Sequence, residues 1–332
     1  MNLSSELNQS CEEHRLFGQQ ELSDNAELGL RYFALVYYIA LFPLSLSLTG
    51  LIIFLIIRFK HLHQTTFVLT LQVAIIDCLY VLIIFPTAVI STIDGHWSIG
   101  LDMCNITGGV FSFTFNLRNW LMFVFVCDRF CTVFMPFRYK RHRRKVILIL
   151  YSIALAISAI NGGLKMIFGC FGVSRIVWIC ASPVDETCPN YAFCQTHTTL
   201  FIALGLIMGS VVPMVMYIIL LIKAKRIRNQ IMSSGTRENI EQRKRDRKAN
   251  ITFFTLFLSL FGVYIPPLFG FIFINLIFTP LGVRPPEALL LILFLLEQLY
   301  SLLPVIDSIA ILRNPEMRKA TKMLQNKLHK RF

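Results

Sequence analysis

The stretch FNLRNWLMFVFVCDRF, residues 115 to 130, carries Arg118 and Arg129 eleven residues apart in an otherwise apolar run. Arg129 follows Asp128, and an arginine at a membrane edge can reach water while pairing with an adjacent carboxylate. Arg118 has no such exit. It lies fourteen residues after Cys104 and eleven before Arg129, too deep in a helix rising about 1.5 Å per residue to reach either interface. A charge near the centre of a bilayer costs about 2.5–3.5 kcal/mol on insertion scales. Arg118 must therefore face other helices and find carboxylates there, and its guanidinium has donors enough for two of them. Asn116 and Asn119 flank it as further hydrogen-bonding groups.

The elements that must position these residues are legible in the composition. The chain has 332 residues, 55% hydrophobic and 15% charged, whereas a soluble domain carries about 25% charged residues. The deficit gathers in seven runs, about 32–57, 67–91, 106–127, 146–168, 199–222, 251–277 and 288–312. Each is long enough for the roughly 20 residues that cross a bilayer, and together they leave too little polar surface for a soluble core. The expected fold is an all-α membrane protein, a seven-transmembrane helix bundle.

The net charge of +13 would suit nucleic acid, but 25 of the 32 Lys/Arg fall in 58–60, 138–145, 223–248 and 313–331. Eleven of the 19 acids lie on the opposite side. This is the positive-inside asymmetry. It implies an extracellular tail at 1–31, a membrane domain at 32–312 and a cytoplasmic end at 313–332, with the plasma membrane as the expected location. The basic loops then face anionic inner-leaflet lipids, not nucleic acid. No charged-then-apolar leader with a cleavage site opens the chain, so the first run is expected to act as its own insertion signal.

Asn2 and Asn8 head glycosylation sequons in the outer tail. Of nine cysteines, Cys11, Cys104, Cys170, Cys180, Cys188 and Cys194 fall on the oxidising side, an even set that allows up to three disulfides. Cys78, Cys127 and Cys131 read as small apolar fillers. CxxC is absent, the seven histidines are scattered, and no nucleophile is paired with a base. Neither a metal, a cofactor nor an enzymatic activity is expected.

Cys104 and Arg129 stand 25 residues apart, about 37 Å along a helix, so they mark the outer and inner ends of the third run. Here the chain resembles the rhodopsin-like (class A) G-protein-coupled receptors. HWSIGLDMC (96–104) is similar to their first outer loop, with a Trp shortly before the helix-three cysteine. LQVAIID (71–77) resembles the helix-two segment that ends in a buried Asp, and CDRF with MPF (127–137) resembles the DRY box and its following proline. Pro213 fits the helix-five proline, VYIP (263–266) stands where Cys-Trp-Leu-Pro is usual, and DSIAI (307–311) replaces the helix-seven Asn/Asp-Pro-x-x-Tyr. The chain departs from the family at Leu51 for the helix-one Asn, at Leu221 for the inner Tyr of helix five and at Tyr264 for the helix-six Trp. Helix four lacks its Trp, and the helix-seven motif lacks both Pro and Tyr.

The resemblance implies an extracellular ligand and a heterotrimeric G protein that engages through its Gα C-terminal helix. It implies a coupling switch made of Asp128, Arg129, Asp246, Tyr264 and Pro266. Asp246 stands twenty residues before Pro266, where the helix-six partner of the family arginine sits; the alternative is a solvated charge in a basic run. The resemblance also supplies acids for Arg118. Asp77 and Asp307 take positions that help hold a sodium ion in the relatives, where a small polar residue stands in place of Arg118. Arg118 is thus expected to be a tethered cation in the sodium site, assisted by Asn119, either as part of a switch or as a permanent staple. Two acids and one base leave a formal −1 that a shared proton would relieve.

Family ligands enter from outside, where Phe111, Ser112, Phe115, Glu297 and Tyr300 are the pocket candidates. No acid stands in the upper third helix, which argues against an amine ligand, and no lysine stands in the seventh for a retinal Schiff base. Glu297 could neutralise a ligand cation or pair internally with Lys165. The spacing of cysteines in 170–188 and the segment LRNPEMRKA (312–320) are similar to odorant receptors, although MAYDRY and KAFSTC are missing. An odorant-like chemoreceptor is therefore the alternative within the fold. General loop spacing in the family pairs Cys104 with Cys188, the odorant analogy pairs it with Cys180, and Cys194 is the third choice. Residues 314–331 alternate apolar and basic side chains, as an amphipathic eighth helix on a membrane would. Two rival functions follow from the same residues. A non-signalling scavenger or dimer partner would explain the altered helix-seven motif. A small transporter or proton channel could use Arg118, Asp77 and Asp307 as a relay, but the internal repeat that transporters often carry is missing.

Overall fold

The computed structural model describes residues 24–63, 65–174, 179–183, 190–231, 262 and 287–329. Apart from residue 262, the sixth apolar run lies outside the described residues, and so do Asn2, Asn8, Asp246, Tyr264 and Pro266. Among the described residues five helices are long and apolar enough to cross a membrane: Glu27–Arg58, Phe67–Asp94, Leu101–Phe134, Phe137–Ile167 and Tyr191–Lys223. They coincide with the first five runs and extend beyond most of their ends. The full elements are α1 (Asp24–Arg58), α2 (Thr65–Asp94), α3 (Leu101–Phe134) and α4 (Pro136–Ile167).

The start of α1 falls inside the segment read as an outer tail, and Arg31 gives the reason. Its guanidinium donates to the carbonyls of Thr92 and Ile93 at 2.9–3.2 Å, where the last turn of α2 leaves carbonyls without helical donors. Gly95 follows in the left-handed region (φ 73°) and leaves the space that Arg31 fills. The extra turns of α1 thus carry a cap for its neighbour.

The fifth span is not one regular helix. It consists of α5 (Tyr191–Leu206), a π-turn (Ile207–Val211) and α6 (Val212–Ile231). Pro213 explains the interruption: in a regular helix its ring would collide with the carbonyl of Gly209, and it has no N–H to donate. A wider π-turn removes the conflict. Gly209 also lets α3 come close, since a Cβ there would sit 2.8 Å from that of Asn119.

The seventh span is broken as well, into α7 (Glu287–Ser301) and α8 (Leu303–Leu312). Pro304 stands in the first turn of α8, and tight bonds from Leu302 N–H to Leu299 (3.1 Å) and from Val305 N–H to Leu302 (3.0 Å) carry the chain across the break. The family proline is missing from DSIAI, yet Pro304, just upstream of Asp307, keeps a bend in this span. The amphipathic segment forms α9 (Pro315–His329), opened by Asn314 Oδ1 accepting from the Glu316 N–H at 3.0 Å. Its Met317 and Ala320 are fully buried in one core with Ile56 of α1 and Phe59 just after it.

Large apolar side chains such as Val36, Ile57, Leu148, Ile149 and Ile207 point out of the bundle, while Thr49, Asp77, Asn116, Arg118 and Asn161 point in. That inversion suits a hydrocarbon surround, where polar groups must be satisfied inside. Contact between α3 and α4 depends on small residues. A Cβ on Gly162 would lie 2.8 Å from the Gly109 carbonyl and 3.0 Å from Phe113 Cβ. Gly162→Val is expected to force these helices apart and lower stability by about 1–3 kcal/mol, read as a reduced Tm of the detergent-purified protein.

The connection between the fourth and fifth spans adds a β-hairpin to the helical bundle: β1 (Phe171–Ser174) pairs antiparallel with β2 (Ile179–Pro183), Val173 opposite Cys180. Gly169, at φ 63°, turns the chain out of α4 so that Cys170 meets Cys194 in the first turn of α5, with Cα atoms 5.3 Å apart. This bridge corrects one expectation, because the Cys194 sulfur is taken and cannot join Cys104. Cys104 is itself disulfide-bonded. Cys188 lies outside the described residues, and of Cys180 only the backbone is described.

Candidate functional site

Arg118 projects from the middle of α3 and is 6% exposed. Its Nη1 lies 2.9 Å from Asp77 Oδ1 on α2, and its Nη2 donates to Asp307 Oδ2 on α8. The contact with Asp77 is close as an ion pair but off the line of a hydrogen bond, whereas the Asp307 contact satisfies both criteria. Asp77 and Asp307 are equally buried, so one guanidinium ties three helices together at the depth where a lone charge would be costly.

Tyr300, in the last turn of α7 just before the break in the seventh span, lies beside Arg118 and both carboxylates. Around it gather Phe115 at 5.5 Å, Tyr80 at 5.7 Å and Phe111 at 6.0 Å between ring centroids. Three of the pocket candidates, Phe111, Phe115 and Tyr300, thus form an aromatic layer directly over the charges. The layer excludes water and thereby strengthens the ion pairs beneath it. Ser112 is buried, and its carbonyl accepts from Asn116 Nδ2 at 2.9 Å, which turns Asn116 back onto its own helix. Asn119 is not brought into the cluster: its Cβ packs on Gly209 of the fifth span, about a quarter-turn from Arg118. The side chain of Glu297 lies outside the described ones, although its backbone belongs to α7.

A sodium ion does not fit this arrangement. The guanidinium already occupies the space between the two carboxylates and supplies the positive charge they need.

At the inner end of α3, Asp128 is 1% exposed and accepts three hydrogen bonds. Tyr139 Oη donates to Oδ1 at 2.8 Å, Arg143 Nε to Oδ1 at 2.8 Å, and Arg143 Nη2 to Oδ2 at 2.7 Å. Arg129 Nε stands farther from the same Oδ2, at 3.8 Å. Sequence reasoning paired Asp128 with Arg129 and treated Arg143 as one of many lipid-facing bases. The signal that could have found the clamp is the four-residue spacing of Tyr139 and Arg143 in a helix that Pro136 opens, which sets both on one face. Tyr217 of α6 lies within the electrostatic reach of Arg129. Tyr217 stands one turn before Leu221.

The sequence model described as 7 transmembrane receptor (rhodopsin family) matches residues 49–309. Among individual proteins, the chain is 28% identical to neuropeptide FF receptor 2 of Mus musculus over 36% of its own length and 30% of that receptor's. It is 26% identical to the alpha-1A adrenergic receptor of Cavia porcellus, over 50% of this chain and 34% of the relative. It is also 26% identical to the human olfactory receptor 2L2, over 59% of each. In each case the chain spans less than two thirds of the relative's length. With its family match running from the first span to the seventh, and with Asp77, Arg118 and Asp307 joined across the bundle, this chain belongs to the rhodopsin family of seven-transmembrane receptors.

Proposed function

We propose that the protein is a plasma-membrane receptor that faces outward with its N-terminus and passes the binding of an extracellular ligand to a heterotrimeric G protein. The observation that carries this reading is the inner end of α3, where Asp128 Oδ2 is shared between Arg143 at 2.7 Å and Arg129 at 3.8 Å. An arginine held this loosely by its adjacent acid can exchange that contact for the C-terminal helix of Gα. Asp246, Tyr264 and Pro266 complete the switch in this reading, and the basic segments 138–145 and 313–331 rest on anionic lipid. α9 supports the lipid contact, since its buried Met317 side leaves Arg318, Lys319 and Lys322 on other faces.

The test compares constitutive G-protein activation of the wild type and Arg129→Ala in cells at matched surface levels. The wild type should exceed background and the variant should fall to it. Equal, background-level signals would favour a second reading, a scavenger or dimer partner without signalling. The specific observation on that side is the Arg118 bridge, which fastens α2, α3 and α8 to one another where related receptors are expected to rearrange.

A further inference from the structure

A second buried cation lies near the outer end of α4. Lys165 is 7% exposed, and among the described residues no carboxylate comes within ion-pair distance of it. The ring of Phe171 stands 5.9 Å from its Nζ, a contact too weak to offset stripping water from an ammonium. His197 on α5 is 8% exposed and stands three residues after Cys194, whose bridge to Cys170 ties the start of α5 to the end of α4, where the Cys170 N–H donates to the Lys165 carbonyl at 2.9 Å. Neither ring nitrogen of His197 has a hydrogen-bond partner among the described residues. Asn161, one turn before Lys165 on the same face of α4, is fully buried with both amide atoms equally unsatisfied. Native proteins leave few buried polar groups without partners, and here Asn161 and His197 do so among the described residues, on the two helices that the Cys170–Cys194 bridge joins.

We propose that Lys165, His197 and Asn161 bind the carboxylate of a small organic acid, and that this acid is the outer ligand. The inference rests on the receptor reading and names the ligand class within it. An ammonium, an imidazole N–H and an amide NH2 form a donor set suited to an acceptor-only group. One fixed positive charge balances one negative charge, which fits a monocarboxylate better than a phosphate dianion. Phe171 beside Lys165, and Phe193 and Phe201 at 5.3 and 4.5 Å from the His197 ring, suit an apolar or aromatic body behind the carboxylate. The sequence of α3 agrees: it carries no acid from Met103 to Cys127, so a cationic ligand would find no partner on that stretch of the wall.

The experiment uses the full chain purified in detergent. Without added ligand, Lys165→Met should raise Tm by about 2–4 °C, because it removes a buried charge that has no counter-ion among the described residues. A fall in Tm, restored by adding Glu297→Gln, Asp185→Asn or Glu186→Gln, would identify an internal ion pair and overturn the proposal. Benzoate, phenylacetate, 3-phenylpropionate and octanoate are then each compared with their primary amides. At least one acid should raise the wild-type Tm where its amide does not, and Lys165→Met and His197→Phe should abolish the shift. Equal shifts from acid and amide, or none from the whole set, would overturn the assignment. A carboxylate-dependent shift without G-protein activation would keep the site and refute signalling, whereas Arg129-dependent signalling with no carboxylate preference would do the reverse.

Discussion

Arg118→Met is expected to remove nearly all folded protein from the cell surface. The variant leaves Asp77 and Asp307 buried and facing each other with no cation between them. Breaking a buried ion pair by deleting one partner costs about 3–5 kcal/mol, out of a total stability of about 5–15 kcal/mol. Neutralising the whole cluster is a different matter. The triple change Asp77→Asn, Asp307→Asn and Arg118→Gln keeps polar groups that can bond one another and strands no charge. It should recover most of the surface expression, measured by antibody labelling of intact cells and by Tm after purification. Failure of the triple variant alongside the single one would mean that the shape of the guanidinium, not its charge, holds the three helices. The same geometry predicts that wild-type Tm is indifferent to exchanging sodium for a larger organic cation at constant ionic strength. A sodium-specific rise would show that the pocket is not filled by Arg118.

The second large effect concerns two substitutions of opposite sign at the inner end of α3. Arg143 and Arg129 compete for Asp128 Oδ2, and Arg143 holds the shorter contact, 2.7 Å against 3.8 Å. Asp128→Asn removes the acid that restrains Arg129, so basal G-protein activation should rise, by at least about fivefold for a coupling on the order of 1–3 kcal/mol. Arg143→Ala removes the competitor instead. Arg129 can then close onto Asp128 with a charge-assisted bond, and basal activation should fall below the wild-type level. Both are read as constitutive nucleotide exchange at matched surface expression. Two changes in the same direction would refute competition for one carboxylate oxygen and leave Asp128 as a packing residue.

Much of the architecture was legible because hydrocarbon imposes a simple rule on the chain. A span must be long, apolar and helical to satisfy its backbone, and so the runs near 67–91 and 106–127 correspond to α2 and α3 without any knowledge of their neighbours. The partners of Arg118 could likewise be named, since a charge at that depth has few acids to choose from and a family resemblance pointed to Asp77 and Asp307. Local signals were also enough to place α9, whose apolar and basic residues alternate with a helical period.

Rotation and competition were settled only by packing. Asn119 is next to Arg118 in sequence, but a turn of about 100° per residue sends it to Gly209 on the fifth span. Tyr300 reads as a pocket wall, and packing also sets it beside Arg118 and the two carboxylates. The basic run 138–145 is uniform as a string of letters; in space one member, Arg143, swings back to take Asp128 from its own neighbour. Cys194 met Cys170 for a similar reason, because two helix ends and one tight glycine turn brought those sulfurs together. Sequence fixes what each residue must avoid or seek in lipid, a one-body requirement, whereas the choice among several acceptable partners depends on distances between segments and so belongs to the tertiary structure.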